Sequence, residues 1–161
     1  SFFQTGTQSM SANDLSPAAI DRIYNVIAKG PFGEHVGLSV DHVEVDKVIV
    51  RMAASPEVMN GLNIIHGGAT AALLDTAATC AAWATPDAKP TTRGTTVSLT
   101  INYIGPGHQE DLIAEGTVVS RGGVLTIVDA IARDASGRLV AKCQATYKLD
   151  LARDRRLAAQ G

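Results

Sequence analysis

The residues best equipped for chemistry lie in one run, Asn60-Gly-Leu-Asn-Ile-Ile-His66-Gly67-Gly68, which leads into a helical pattern carrying Asp75. Glycines at a helix start expose backbone N–H groups that have no partner inside the helix, at the positive end of its dipole. Such donors can hold an anion or polarise a carbonyl oxygen whose charge grows in a transition state, and glycine lets a substrate approach the backbone. The plainer alternative is a tight turn into the helix. Asp75 stands among Ala and Leu, with only Thr76 and Thr79 to share a polar stripe. An unpaired carboxylate in apolar surroundings costs several kcal/mol or is forced neutral. Acid–base chemistry is the sharpest use for it.

Eight residues separate Gly67 from Asp75, about 12 Å along one helix. They cannot serve one carbonyl within a single chain. Either Asp75 is not catalytic, or the site forms between two chains with antiparallel helices side by side, which predicts a dimer. His66 is either a hydrogen-bonded structural residue or a participant, and His35, His42 and His108 read as surface or loop residues. No His-x-x-x-His or Cys-x-x-Cys pair occurs, so no metal site is expected. A Walker phosphate loop and a G-x-S-x-G nucleophile elbow are also absent.

The elements that must position these residues follow from periodicity. Ser16-Pro17 starts a helix that Gly30-Pro31 stops. Two strands follow from Val36, with a turn near Asp46-Lys47, and residues 55–65 form a loop feeding a helix from about Gly67 to Ala84. Val97, Leu99, Ile101 and Tyr103 alternate with polar partners as a strand until Gly105-Pro106-Gly107. Strands are expected over 112–120, 124–133 and 139–149, joined by an Arg121-Gly122-Gly123 turn and an Asp134-Ala-Ser-Gly137 hairpin. Strands in series on short turns imply an antiparallel sheet, and an Ala-rich helix apolar nearly all round must be enclosed by it. The expected class is α+β, with a sheet curled around one helix. The expected divisions are a flexible arm over 1–15, one domain over 16–150 and a tail over 151–161.

Composition narrows the partners. A formal net charge of −2 and seven aromatics (three Phe, three Tyr, one Trp) argue against nucleic acid. No apolar run of about 18 residues suggests a membrane span, and the N-terminus lacks signal-peptide character. Cys80 and Cys143 fall in apolar segments, as small buried residues of a reducing compartment do. A cytoplasmic protein is expected.

Asn60, the His66-Gly67-Gly68 triplet and Asp75 at these spacings resemble the hotdog-fold acyl-CoA thioesterases. The likeness is to the PaaI-type branch of the 4-hydroxybenzoyl-CoA thioesterase superfamily. It extends from about residue 33 to 149 and includes Thr96-Val-Ser-Leu-Thr-Ile-Asn-Tyr103-Ile-Gly-Pro106 and Ser136-Gly-Arg-Leu-Val-Ala141. The resemblance implies an antiparallel hotdog sheet around a central helix, a homodimer with interfacial sites, often a homotetramer, and hydrolysis of acyl-CoA without metal or cofactor. It also implies roles. The Gly67 N–H, with Asn60, would polarise the thioester carbonyl, and Gly68 would border the substrate. Asp75 of the facing chain would act as base or nucleophile, and His66 would lie near the sulfur or orient the loop. Thr96 would position the water or the acid, although simple alternation sets it on the face opposite Val97 and Leu99, with Thr95 a competitor. Arg121, Gly122 and Gly123 resemble a segment that borders coenzyme A. Two other functions fit the same outline: a hydratase or dehydratase on acyl thioesters, and a non-catalytic acyl-CoA sensor.

Overall fold

The structure is a computed structural model that describes residues 10–160. The N-terminal arm expected over 1–15 lies outside the described residues up to position 9. Its end is packed into the fold: Ala12–Asp14 forms a 3-10 turn and Leu15 is buried. Helix α1 (Pro17–Asp21) begins as the sequence directs, Ser16 Oγ accepting the Ala19 N–H at 3.1 Å with Pro17 in the first turn. It widens into a π-helical stretch over Arg22–Ala28, and Pro31 then opens the short α2 (Pro31–His35).

Strands β1 (Leu38–Glu44) and β2 (Lys47–Met52) form a hairpin whose turn holds Asp46 at a φ of 65°. The central helix α3 runs over Gly67–Trp83. Strands β3 (Gly94–Tyr103), β4 (Leu112–Arg121), β5 (Leu125–Asp134) and β6 (Leu139–Leu149) follow, and helix α4 (Leu151–Ala158) takes up most of the expected tail. All pairings are antiparallel in one sheet of order β1-β2-β4-β5-β6-β3. This is the hotdog architecture the sequence anticipates.

Curling follows from what α3 touches. It packs on β2, β4, β5, β6 and β3. Five flat strands would span about 19 Å at ordinary strand spacing. A helix only about 10–12 Å across reaches all of them only if the sheet wraps it. Small residues make the wrap tight. Ala77, Ala78, Ala81 and Ala82 of α3 are buried against Ala114, Ala130, Ala132 and Ala145 of the sheet. At Gly116 on β4 an added Cβ would lie 2.4 Å from the Ala77 carbonyl oxygen, so only glycine fits. Ile23 closes part of the other side. One stripe of α3 remains half-buried: Ala72, Asp75, Thr76 and Thr79. Their i, i+3, i+4, i+7 spacing places them on one helix face.

The edge strand β3 departs from simple alternation. Its register against β6 shifts between Thr96 and Ser98, so Val97 is the extra residue of a β-bulge and is 57% exposed. The expectation that Val97 shares a face with Leu99 and Ile101 is therefore corrected. The bulge puts Thr96 on their half-buried face instead.

No helix among the described residues is long and apolar enough to cross a membrane. Cys80 and Cys143 are buried free thiols. Burial pushes their pKa values up, to about 12 and about 11, with the Asp75 charge adding to the rise.

Candidate active site

Asp75 is held by the bulged strand. Thr96 Oγ1 donates to Asp75 Oδ1 at 2.7 Å within one chain, and Oδ2 has no partner among the described residues. A hydroxyl donor fixes the carboxylate's rotamer and satisfies one oxygen, leaving the other to act. Of Thr95 and Thr96, the structure brings Thr96 to the acid.

The start of α3 is built differently. His66 is the N-cap, its Nδ1 accepting the Gly68 N–H at 2.8 Å. A Cβ at Gly68 would come 2.9 Å from that nitrogen, so glycine there makes room for the cap. From the far side of the same peptide, Tyr103 Oη donates to the Gly67 carbonyl oxygen at 2.9 Å. The Gly67–Gly68 peptide is thus gripped at both ends, by an imidazole and a phenol. The preceding N–H, that of Gly67, has no partner among the described residues, and the turn is exposed. Nothing in the sequence singles out Tyr103 for this contact, because neither helical nor strand periodicity links the end of β3 to the start of α3.

Asn60 folds the loop before the helix. Its Oδ1 accepts the Leu62 and Ile64 N–H groups at 2.9 and 3.3 Å. Its amide NH2, the half able to polarise a carbonyl, has no partner among the described residues. Asn60 lines an open cleft of about 580 Å³ with Ser55, Met59, Asn63 and Gln109.

Arg121 is placed elsewhere. It ends β4, and its guanidinium turns inward, 18% exposed. It donates to Asp46 Oδ1 at 2.7 and 3.0 Å and to the carbonyls of Ala82 and Ala81 at 2.9 and 3.3 Å. These carbonyls lie in the last turn of α3, and their free lone pairs attract a cation; that of Ala81 also accepts the Ala84 N–H at 3.1 Å. The side chain expected beside coenzyme A is therefore engaged as a helix cap. Gly122 and Gly123 belong to a plain hairpin turn, the Gly122 N–H donating to the Leu125 carbonyl at 2.8 Å. Among the described residues no group of His, Cys, Asp and Glu is arranged to hold a metal ion.

The structure thus makes two candidate half-sites, Asp75–Thr96 and Gly67–His66–Tyr103, at different positions along α3 and at opposite ends of β3. A sequence model of the thioesterase superfamily matches residues 62–141, which span both half-sites. Acyl-coenzyme A thioesterase 13 from Homo sapiens is 34% identical over 106 residues, covering 64% of this chain and 73% of that protein. The chain belongs to the thioesterase superfamily. By class it is a thioester hydrolase. A thioesterase family protein from Silicibacter pomeroyi shares the fold, with a TM-score of 0.75 at 22% identity, covering 81% of this chain and 97% of that one. So does the PaaI protein of the Escherichia coli phenylacetic acid degradation operon, with a TM-score of 0.67 at 21% identity over 81% of this chain and 92% of that one.

Proposed function

We propose that this thioesterase hydrolyses acyl-coenzyme A to a carboxylic acid and coenzyme A, in sites each shared between two copies of the chain. The coenzyme A part is supported by the name of its human relative, an acyl-coenzyme A thioesterase. The observation that carries the reaction is the Thr96–Asp75 hydrogen bond, which orients a half-buried carboxylate and leaves one oxygen available.

The shared site follows from β3. One of its edges pairs with β6 and the other is open over ten residues, with Val97 and Tyr103 exposed. An open edge of that length is a template for another strand. Two-fold antiparallel pairing with a copy of itself, centred on Thr100 and with the Val97 bulge taken as one position, sets Thr96 opposite the partner subunit's Tyr103. Tyr103 holds the Gly67 peptide, so each acid meets the other chain's helix start. The half-buried stripe of α3 beside β3 would then be covered as well.

In that arrangement Asp75 takes a proton from water as the water oxygen adds to the thioester carbonyl carbon. As nucleophile it would instead add to that carbon, expel the thiolate and leave a mixed anhydride, which water hydrolyses to the acid with return of the free carboxylate and a proton for the thiolate. The Gly67 N–H and Asn60 NH2 of the opposing chain hold the oxyanion. The C–S bond then breaks, and the sulfur leaves as the thiol once the proton returns to it. His66, whose Nδ1 is occupied by its cap, orients the turn. Unpaired buried cysteines fit a reducing cytoplasm.

Incubation with a panel of acyl-coenzyme A thioesters and a thiol-trapping reagent tests the reading. Thiol release matched to acid formation is expected. Absorbance of a new double bond without thiol would make the protein a hydratase or dehydratase, and tight binding without turnover a sensor. Light scattering on the same sample reads the dimer, and any tetramer built from it.

A further inference from the structure

With the Arg121 guanidinium engaged by Asp46 and the end of α3, another cationic partner would suit the phosphates of a coenzyme A thioester. We propose that Arg93, Lys148 and Arg153 form it, as a phosphate-binding cradle at the start of β3. The inference rests on the acyl-coenzyme A reading above. The three side chains come from three elements, the loop before β3, strand β6 and helix α4, and line one pocket of about 180 Å³ together with Gly94, Thr95 and Asp150.

Three cations and one acid line this pocket. Arg51 holds Asp41, Arg121 holds Asp46 and Arg138 holds Asp134, each at 2.7–2.8 Å. Arg93, Lys148 and Arg153 have no carboxylate partner among the described residues. The one acid lining the pocket, Asp150, is already committed. Its Oδ2 binds Arg156 at 3.1 Å, and its Oδ1 accepts the Arg153 backbone N–H at 2.8 Å. Three like charges around one pocket repel each other unless an anion joins them.

Two further features suit a phosphate ester. Arg93 is held in place by its own loop, one guanidinium nitrogen donating to the carbonyls of Pro90 and Thr92 at 3.2 Å each, while the fork's other donors have no partner among the described residues. Thr95, paired across the sheet with Lys148, adds a hydroxyl. The position is also apt. Thr95 precedes the Thr96 that holds Asp75, and the pairing of β3 described above brings the partner subunit's Gly67 turn to this same end of the strand. A thioester lodged between the half-sites would have its nucleotide end leave past the cradle.

The test compares one acyl group on two carriers, coenzyme A and N-acetylcysteamine, the second lacking every phosphate. In the double variant Lys148→Gln/Arg153→Gln, KM for the coenzyme A thioester should rise roughly tenfold, as exposed charge-assisted contacts to phosphate are lost. Its kcat, and kcat/KM for the N-acetylcysteamine thioester, should stay within about twofold on the same grounds, neither side chain reaching the reacting atoms. An unchanged KM for the coenzyme A thioester, or an equal loss on both carriers, overturns the cradle. Calorimetric titration with coenzyme A and with pantetheine separates this failure from failure of the hydrolase reading. If the wild type releases no thiol yet binds coenzyme A more tightly than pantetheine, and the double variant loses that preference, the cradle stands and the reaction falls. If the wild type shows no such preference, the cradle falls whatever the turnover.

Discussion

The two ends of helix α3 are finished in opposite ways. At its C-terminal end Arg121 fills the gap, bridging Asp46 to the carbonyls of Ala81 and Ala82 in a mostly buried position. At its N-terminal end the Gly68 N–H is capped by His66, but the Gly67 N–H is left to solvent. The same physics of unsatisfied helix termini operates at both. One end is closed for stability, and the other is kept open at some cost to it. That asymmetry is the ground for proposing the open end as the functional one, while Arg121 is engaged by Asp46 and the end of the helix.

Asp75 is where the contrast can be broken most decisively. Asp75→Ala should lower kcat by roughly 10²-fold or more, as loss of a general base does, and a change under about threefold would remove it from the mechanism. Gly67→Pro should be comparably inactive, because proline is tolerated in a first helical turn yet removes the N–H. Mixing the two inactive chains should restore activity, since a mixed dimer holds one unaltered site. No recovery in mixed dimers shown to form by mass spectrometry would place each site within one chain.

Arg121→Ala tests the closed end. It strips α3 of its C-terminal cap and leaves Asp46 without its cation, a loss of about 2 kcal/mol in stability. Thermal unfolding should move down by roughly 6 °C, with KM for the coenzyme A thioester unchanged. A raised KM with an unchanged melting temperature would return Arg121 to the binding site.

Much of this was legible in the residues. The element order, the long helix and the strand over 139–149 follow from periodicity and turn residues, because one-sided burial imposes those periods. The triplet and Asp75 were visible as a helix start and a misplaced charge, and helix arithmetic set them too far apart to serve one carbonyl within a chain. What escaped was long-range. The bulge at Val97 is set by pairing with β6, and nothing in the local alternation of β3 announces it. The fate of Arg121 depends on Asp46, which lies 75 residues earlier. The grip of Tyr103 on Gly67 joins two elements 36 residues apart.

The bulge supplies a smaller test of the Asp75 half-site. Thr96→Val removes the hydroxyl but keeps shape and strand propensity, and kcat should fall about tenfold through loss of a charge-assisted hydrogen bond. Thr95→Val, one residue away on the outer face, should leave kcat unaltered and act only through KM for the coenzyme A thioester, where its hydroxyl joins the cradle. Equal effects at the two positions would mean that the strand, and not the hydroxyl, positions Asp75.

Tyr103→Phe is the gentlest probe of the open end. The ring remains over Gly67, where an added Cβ would sit 3.5 Å from it, and only the hydroxyl bonded to the Gly67 carbonyl is lost. One neutral hydrogen bond is worth about 1 kcal/mol, so kcat should fall about fivefold with KM little changed. His66 grips the other end of the same peptide, so the two deletions should not be independent. His66→Ala together with Tyr103→Phe should cost more than the product of the single losses, since either partner alone can still hold the peptide plane. Multiplicative losses would mean that His66 and Tyr103 act on different steps, and that the open turn is rigid without them.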